Sequence, residues 1–141
     1  MRDHRRIALI IVAGLGIAAG AAGLAPQRAL ARTGDQGMAE MRTAEQQAGM
    51  AANALRLADI HLHLQRALNC LEGPHGRDYR STAGNPCSGA GAERDLPTGS
   101  VDRVRVRKAS RLATVGVTFQ DFKPAHFTAQ AVQAVLQEGT K

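Results

Sequence analysis

Three histidines of the central region, His61, His63 and His75, are the residues best suited to bind a metal. Imidazole nitrogens bind late transition metals such as Cu, Ni and Zn. Residues two apart on a helix point about 200° apart, so His61 and His63 need His75 or His126 to complete a site. A helical chelating pair would be four residues apart, where Gln65 stands instead. We therefore favour ordinary core, rim and loop roles for these histidines and keep the metal site as an alternative.

Two methionines one helical turn apart, Met38 and Met41, could bind Cu(I) through their thioethers. Met41 also lies on an apolar stripe, where core packing explains a methionine equally well. We therefore expect no resident cofactor, with Cu, Ni or Zn as the alternative.

The two cysteines, Cys70 and Cys87, are predicted to form a disulfide. A pair of cysteines in an exported protein most simply bond to each other. They lack the short Cys-x-x-Cys spacing of a dedicated metal site. Closing such a loop stabilises a small domain by roughly 3 kcal/mol.

A dense basic cluster follows in the second half of the chain. It consists of Arg103, Arg105, Arg107, Lys108 and Arg111. On a helix, Arg103, Arg107 and Arg111 would share one edge. Such an edge is usually a solvated face, and the alternative is contact with anionic lipid headgroups or an acidic partner.

No arrangement typical of catalysis occurs along the chain. There is no nucleophile beside a base, no phosphate-binding glycine loop and no pair of acids on one helix face. Gly89 and Gly91 belong to a turn with no strand before it, so they do not form a dinucleotide-binding fingerprint. We expect a protein that is not an enzyme and has no catalytic residues.

Residues 1–31 have the organisation of a secretory signal peptide. Arg2, Arg5 and Arg6 precede an uncharged apolar run over 7–25, and Ala29 and Ala31 form the small-x-small site at which a signal peptidase cuts. Cleavage would leave a chain that starts at Arg32 in the periplasm or outside the cell. An uncleaved membrane anchor is the alternative, and the general secretory route is favoured over the twin-arginine route.

Removal of this segment changes the charge that the working protein carries. The chain has 18 basic and 12 acidic residues, and those after position 31 comprise 14 basic and 11 acidic ones, a net charge of +3. Nucleic acid is therefore not an expected partner. A membrane contact is expected only through the signal segment, if it is uncleaved.

The rest of the sequence predicts an all-α fold in a single domain over 38–141, after a flexible lead over 32–37. One long helix begins near Met38 and ends at Gly73-Pro74, because apolar residues recur in steps of three and four. Its main stripe comprises Met41, Ala44, Ala48, Ala51, Leu55, Ala58 and Leu62, and a second stripe comprises Leu57, His61, Leu64, Leu68 and Leu71.

Beyond this helix, residues 72–100 are rich in Gly and Pro and are predicted to form a loop. Residues 101–119 fit a helix with Val101, Val104, Ala109, Leu112, Val115 and Phe119 on one face. A β-hairpin there, and hence an α+β fold, is the alternative. A final amphipathic helix runs from Pro124 to Gly139, with its period given by Phe127, Ala131, Val132, Val135 and Leu136.

One segment resembles small, uncharacterised exported bacterial proteins. The similarity covers HLHLQRALNCLEGP at residues 61–74, then Asn85-Pro86-Cys87 and Gly89. It implies the same disulfide and carries no activity, cofactor or catalytic residue.

These observations leave two classes of function. The first is a structural or protein-interaction domain of the cell envelope, which would contact another envelope protein or self-associate through an exposed alanine stripe in the N-terminal half of the long helix. The second is a periplasmic protein that binds Cu, Ni or Zn through the three histidines.

Overall fold

The computed structural model describes residues 25–138, with side chains from Thr33 onward. Five α-helices follow one another within that range: α1 (Ala25–Ala52), α2 (Leu57–Glu72), α3 (Ala92–Asp95), α4 (Val101–Gly116) and α5 (Phe122–Gln137). A single 3₁₀ turn, Ser81–Ala83, lies between α2 and α3. The described residues contain no strand, so the all-α prediction is confirmed and the hairpin alternative over 101–119 is wrong.

The predicted signal segment lies mostly outside the described residues, since these begin at Ala25. Ala29 and Ala31, the predicted cleavage site, fall within α1. The predicted flexible lead over 32–37 is also helical and belongs to α1. Gly37 explains the order there, because its lack of a side chain lets α1 pack directly on the backbone of Asp95 and Leu96.

The predicted single long helix is two helices, because the chain breaks between Ala52 and Leu57. The Gly49 carbonyl accepts both the Asn53 N–H and the Asn53 side-chain amide, and the next N–H, that of Ala54, turns to the Ala51 carbonyl, so the regular helical pattern ends there. Arg56 is extended and donates to Asp59 in the first turn of α2 at 2.6 Å and 2.8 Å. As a result Leu55, predicted on the buried stripe, is 91 % exposed.

The core lies where α1, α2, α4 and α5 meet. Its fully buried members are Met41, Ala44, Ala48, Ala51, Ile60, Leu64, Ala67, Leu68, Cys70, Leu71, Ala92, Val106, Ala109, Ala113, Ala125, Ala129, Val132 and Leu136. Ten of these are alanine or cysteine, small side chains that allow close helix contact, which is how a chain without tryptophan fills its interior.

The alanine stripe of α1 is covered, not exposed as predicted. Ala44, Ala48 and Ala51 have no exposed surface. Both α2 and α5 pack on α1, and the Gln133 side chain of α5 lies against Gly49. The stripe therefore offers no free surface for self-association.

Two of the predicted helix faces in the C-terminal half are shifted. On α4 the buried residues are Val106, Ala109, Ser110, Ala113 and Gly116, while Val101 and Val115 are exposed. On α5, Val132 and Leu136 are buried as predicted and Phe127 is exposed. Alanine, serine and glycine take the inward positions because α2 and α5 pack closely on α4 at these points.

Candidate functional site: an arginine-lined groove

Three arginines of α4 lie along the edge that their spacing predicts. The helix starts at Ser100, whose hydroxyl accepts from the Arg103 N–H at 3.2 Å. The buried face of α4 is made mostly of small side chains. The edge beside that face lies opposite the turn after α2 and opposite α3. Arg103, Arg107 and Arg111 line the space between them.

That space is formed by two adjoining cavities of about 810 Å³ and 380 Å³, which share Glu72, Arg77 and Glu93. We call them together the arginine groove. Its walls carry five arginines: Arg77, Arg94, Arg103, Arg107 and Arg111. Three acids, Glu72, Asp78 and Glu93, lie among them, so the wall carries an excess of positive charge.

Most of these arginines have no carboxylate partner among the side chains that the structure describes. Among residues 33–138, ion pairs join Arg56 to Asp59, Arg77 to Asp78 and Arg105 to Asp102. Over the same range Arg94, Arg103, Arg107 and Arg111 have none. These four guanidinium groups are therefore not held in ion pairs and are available to an anionic group, and the walls as a whole keep an excess of two positive charges, five arginines against three acids.

Two of the three acids are already engaged in holding the turn after α2. Glu72 accepts from the Asp78 N–H at 2.9 Å, and burial raises the pKa of its carboxyl. Asp78 lies 3.4 Å from Arg77 and accepts from the Thr114 hydroxyl at 3.1 Å. These bonds fix one wall of the groove and leave the α4 edge unpaired.

Two buried donors at the groove lack an acceptor. Ser110 is 6 % exposed, and its Oγ has no hydrogen-bond partner. The Nε of Arg103 is also buried and unpartnered, although its Nη1 donates to the Thr98 hydroxyl at 2.8 Å. An unmet buried donor costs about 1–3 kcal/mol, so an acceptor supplied by a ligand would recover that free energy.

The three histidines predicted as a metal site lie in different surroundings. His63 Nδ1 is 3.0 Å from the Gln47 Oε1 of α1, and burial followed by the nearby Arg66 lowers the pKa of its ring. His61 lines a separate cavity of about 660 Å³ beside Asp78 and Arg80, and its Nε2 is buried without a partner. His75 is exposed at the arginine groove.

No group of three or more metal-ligating side chains comes together among the described residues. His126, the fourth histidine considered, stacks on Phe122 with ring centroids 5.3 Å apart. Met41 is fully buried, and Met38 packs against the core. The geometry therefore does not assemble the predicted histidine site.

The predicted disulfide between Cys70 and Cys87 is present. It joins the last turn of α2 to the loop that follows. Asn69, beside it, is fully buried and makes four hydrogen bonds: its amide donates to the Arg80 and Gly84 carbonyls at 2.8 Å each, and its Oδ1 accepts from the Arg80 N–H and the Gln65 amide. Asn69 thus ties the loop to α2 alongside the disulfide.

A pair of neighbouring carboxyls behind the groove was not predicted from the sequence. Glu40 of α1 is 2 % exposed, and Asp95 of α3, which is half-buried, lies beside it, since a Cβ at Gly89 would contact both carboxyls. Burial, followed by the charge of Asp95, raises the pKa of Glu40 to about 7. The only hint in the sequence is that Glu40 precedes Met41 on the helix, close to the edge of the buried stripe.

Within the described residues, no helix is both long enough and apolar enough to cross a membrane. The comparisons with protein-family models, with curated proteins and with solved structures all returned no match to this chain.

Proposed function

We propose that the protein is an exported, non-catalytic interaction domain of the cell envelope that binds an acidic segment of another protein in its arginine groove. The observation that carries this proposal is that Arg94, Arg103, Arg107 and Arg111 line one groove and make no ion pair among the described residues. Arginine binds carboxylates through two parallel hydrogen bonds, which gives both affinity and orientation.

The shape and charge pattern of the groove favour a polypeptide over other polyanions. Glu72 and Glu93 lie between the arginines. A lipid surface or a nucleic acid presents continuous negative charge and would meet these acids unfavourably. A polypeptide can space its carboxylates to meet the arginines and place neutral residues opposite the acids.

The disulfide supports the location, since such bonds persist in oxidising compartments outside the cytoplasm. After expression of the full chain, we expect the recovered protein to begin at Arg32 and to carry no free thiol. Mass spectrometry with thiol alkylation measures both. A cytoplasmic protein with an intact residue 1–31 segment and reduced cysteines would contradict export.

Binding is tested with a labelled hexaglutamate peptide, followed by fluorescence anisotropy across a range of salt concentrations. The triple variant R103Q/R107Q/R111Q removes the three arginine charges of the α4 edge. The control R42Q/K108Q/K123Q removes the same charge from exposed positions outside the groove. We expect about a tenfold loss of affinity in the first and little change in the second.

Equal losses of affinity in the two triple variants would contradict binding in the groove and would indicate that the peptide is attracted by net charge alone. Vesicles containing anionic lipid and a duplex oligonucleotide serve as competing probes in the same assay. Tighter, groove-dependent binding to either of them than to the peptide would contradict an acidic protein partner.

A further inference from the structure

The Glu40–Asp95 pair links α1 to the short element that forms part of the groove. α3 spans Ala92–Asp95 and makes a single turn. Its Glu93 and Arg94 side chains line the arginine groove, while its Asp95 carboxyl meets Glu40 of α1. A change at the buried pair therefore acts on the segment that carries one wall of the groove.

The surroundings of the pair suit one negative charge and one shared proton. Asp95 Oδ2 accepts from the Ala90 N–H at 3.0 Å, and Glu40 Oε1 accepts from the Gly91 N–H at 3.3 Å. These backbone donors stabilise a carboxylate, but two ionised carboxyls that lie side by side, one of them buried, repel each other. A proton between them removes that repulsion and adds a hydrogen bond.

Within the described part of the chain, no cation offsets the charge of Glu40. Among the described residues, Asp95 is the charged side chain that acts on Glu40, and the remaining contributions come from the N–H groups of Gly89 and Gly91. The neighbouring residues on α1 and on the disulfide loop are uncharged: Gln36, Thr43, Cys87 and Ser88. The second Glu40 oxygen, Oε2, is buried without a partner. A bound cation is disfavoured because backbone N–H groups, not further oxygens, face the pair.

Gly89 shows how closely the loop covers these two carboxyls. A Cβ at this position would overlap Glu40 Oε1 and would come within 2.7 Å of Asp95 Oδ2. The loop after the disulfide therefore passes directly over the pair and helps to bury Glu40, while Asp95 is half-buried.

We propose that the proton shared by Glu40 and Asp95 is a latch that holds α3 against α1, and that its loss above neutral pH loosens the α3 wall of the arginine groove. This inference rests on the proposed function for its effect on binding, whereas the latch itself does not depend on a partner. Leu96, buried against Gly37, keeps α3 attached, so release is local and does not unfold the domain.

The latch is tested by hydrogen exchange of the Ala90 and Gly91 amides, which donate to Asp95 and Glu40, at pH 5.5 and pH 8.5, expressed as protection relative to the intrinsic rate. We expect protection to fall by roughly tenfold at the higher pH in the native protein. Glu40→Gln keeps the shape and a donor toward Asp95, so its protection should not change with pH. Glu45→Gln, elsewhere on α1, should behave as the native protein does.

Coupling to the groove is tested by the affinity for hexaglutamate at the same two pH values. We expect weaker binding at pH 8.5 in the native protein and a smaller decrease in Glu40→Gln. Protection that is equal at both pH values in the native protein, or that falls equally in Glu40→Gln, would overturn the latch. If the exchange of α3 depends on pH but the affinity for hexaglutamate changes with pH identically in the native protein and in Glu40→Gln, the coupling would be overturned.

The two proposals fail in different ways. An absence of groove-dependent binding at either pH would overturn the proposed function together with the coupling. The exchange measurement would still decide whether the latch exists, because it needs no ligand.

Discussion

At the scale of single residues, two buried polar side chains organise the region around the disulfide. Asn69 satisfies its whole amide with the loop of residues 78–84 and with Gln65. Glu40 shares a proton with Asp95 beneath the loop that continues past Cys87. Both residues sit on helices otherwise filled with apolar side chains, where an unmet polar group would be costly.

Asn69→Leu should destabilise the domain by about 3 kcal/mol, because the Arg80 N–H and two carbonyls lose their buried partners. Chemical denaturation with the disulfide intact measures this free energy of unfolding. Asn53→Leu is a suitable control, because Asn53 is exposed and makes its hydrogen bonds within the end of α1. Equal effects at the two positions would contradict the assigned role of Asn69.

The raised pKa of Glu40 predicts how stability depends on pH. Its carboxyl binds a proton more tightly in the folded state, with a pKa of about 7, than in the unfolded chain, where it is near 4.5. The stabilisation is therefore complete below about pH 4.5 and is lost as the pH rises through about 7. Between pH 5 and pH 8.5 we expect the native protein to lose about 2 kcal/mol relative to Glu40→Gln.

This difference is measured by urea denaturation of both proteins across that range. Glu40→Gln should be the more stable of the two at pH 8.5. A parallel pH dependence in both proteins would show that Glu40 titrates normally and that the pair does not share a proton.

At the scale of the elements, most helices follow from patterns that can be read in the sequence. Some helix ends can also be read there, whereas others depend on contacts that the sequence does not reveal. The Gly73 stop of α2 is confirmed: Gly73 has a positive φ of 71° and donates to the Asn69 carbonyl at 2.9 Å. The break after Ala52 was missed because Asn53, Ala54 and Leu55 include neither glycine nor proline. There the Ala54 N–H turns to the Ala51 carbonyl, and Arg56 bonds to Asp59 at the start of α2.

For the helix faces, too, the sequence predicts the pattern of apolar residues but not which helices pack on them. The stripe of Met41, Ala44, Ala48 and Ala51 was predicted correctly as one face, but its exposure was not. Whether another helix covers an alanine face depends on the return path of α5, which periodicity within α1 does not encode. The groove likewise needs α3 and α4 to lie side by side, so only its α4 edge could be predicted.

Two glycines of α1 test how closely the helix packs on α3. A Cβ at Gly37 would lie within 2.8 Å of the Leu96 backbone nitrogen, whereas one at Gly34 would lie 4.0 Å from the Pro97 ring. We expect Gly37→Ala to destabilise the domain by about 1–3 kcal/mol through overpacking. Gly34→Ala should be neutral or stabilising by up to about 1 kcal/mol, because alanine favours the helix.

Thermal unfolding of the two variants makes the comparison, with the native protein as the reference. Two equal stabilisations would contradict the close approach at Gly37. Two equal losses would mean that both glycines, and not only Gly37, lie at a tight contact.

At the scale of the whole molecule, the long connection between α2 and α4 is stabilised by one covalent link and a set of hydrogen bonds to α2. Sixteen residues separate the two cysteines, and Arg66 also donates to the Ala83 carbonyl at 2.8 Å. The groove depends on this arrangement, since the turn after Gly73 and the α3 segment both belong to the connection. Reducing the disulfide should therefore weaken the groove as well as the fold.

The variant C70S/C87S should lose about 3 kcal/mol of stability, mainly because its unfolded chain is less restricted. Denaturant unfolding with and without a reductant measures the loss, which the reductant should reproduce in the native protein and not in the variant. A loss well below 1 kcal/mol would contradict a major role for the disulfide and would leave the Asn69 bonds as the main restraint on the loop.

The claim on which the proposed function depends is that the α4 edge and the α3 wall together bind carboxylates. NMR spectra of the arginine side-chain Nε–H groups, recorded during titration with hexaglutamate at pH 6, test it most directly. We predict that the signals of Arg94, Arg103, Arg107 and Arg111 shift together and saturate with one affinity, while those of Arg42 and Arg56 stay in place. Shifts centred outside the groove, or spread evenly over all the arginines without saturation, would contradict it.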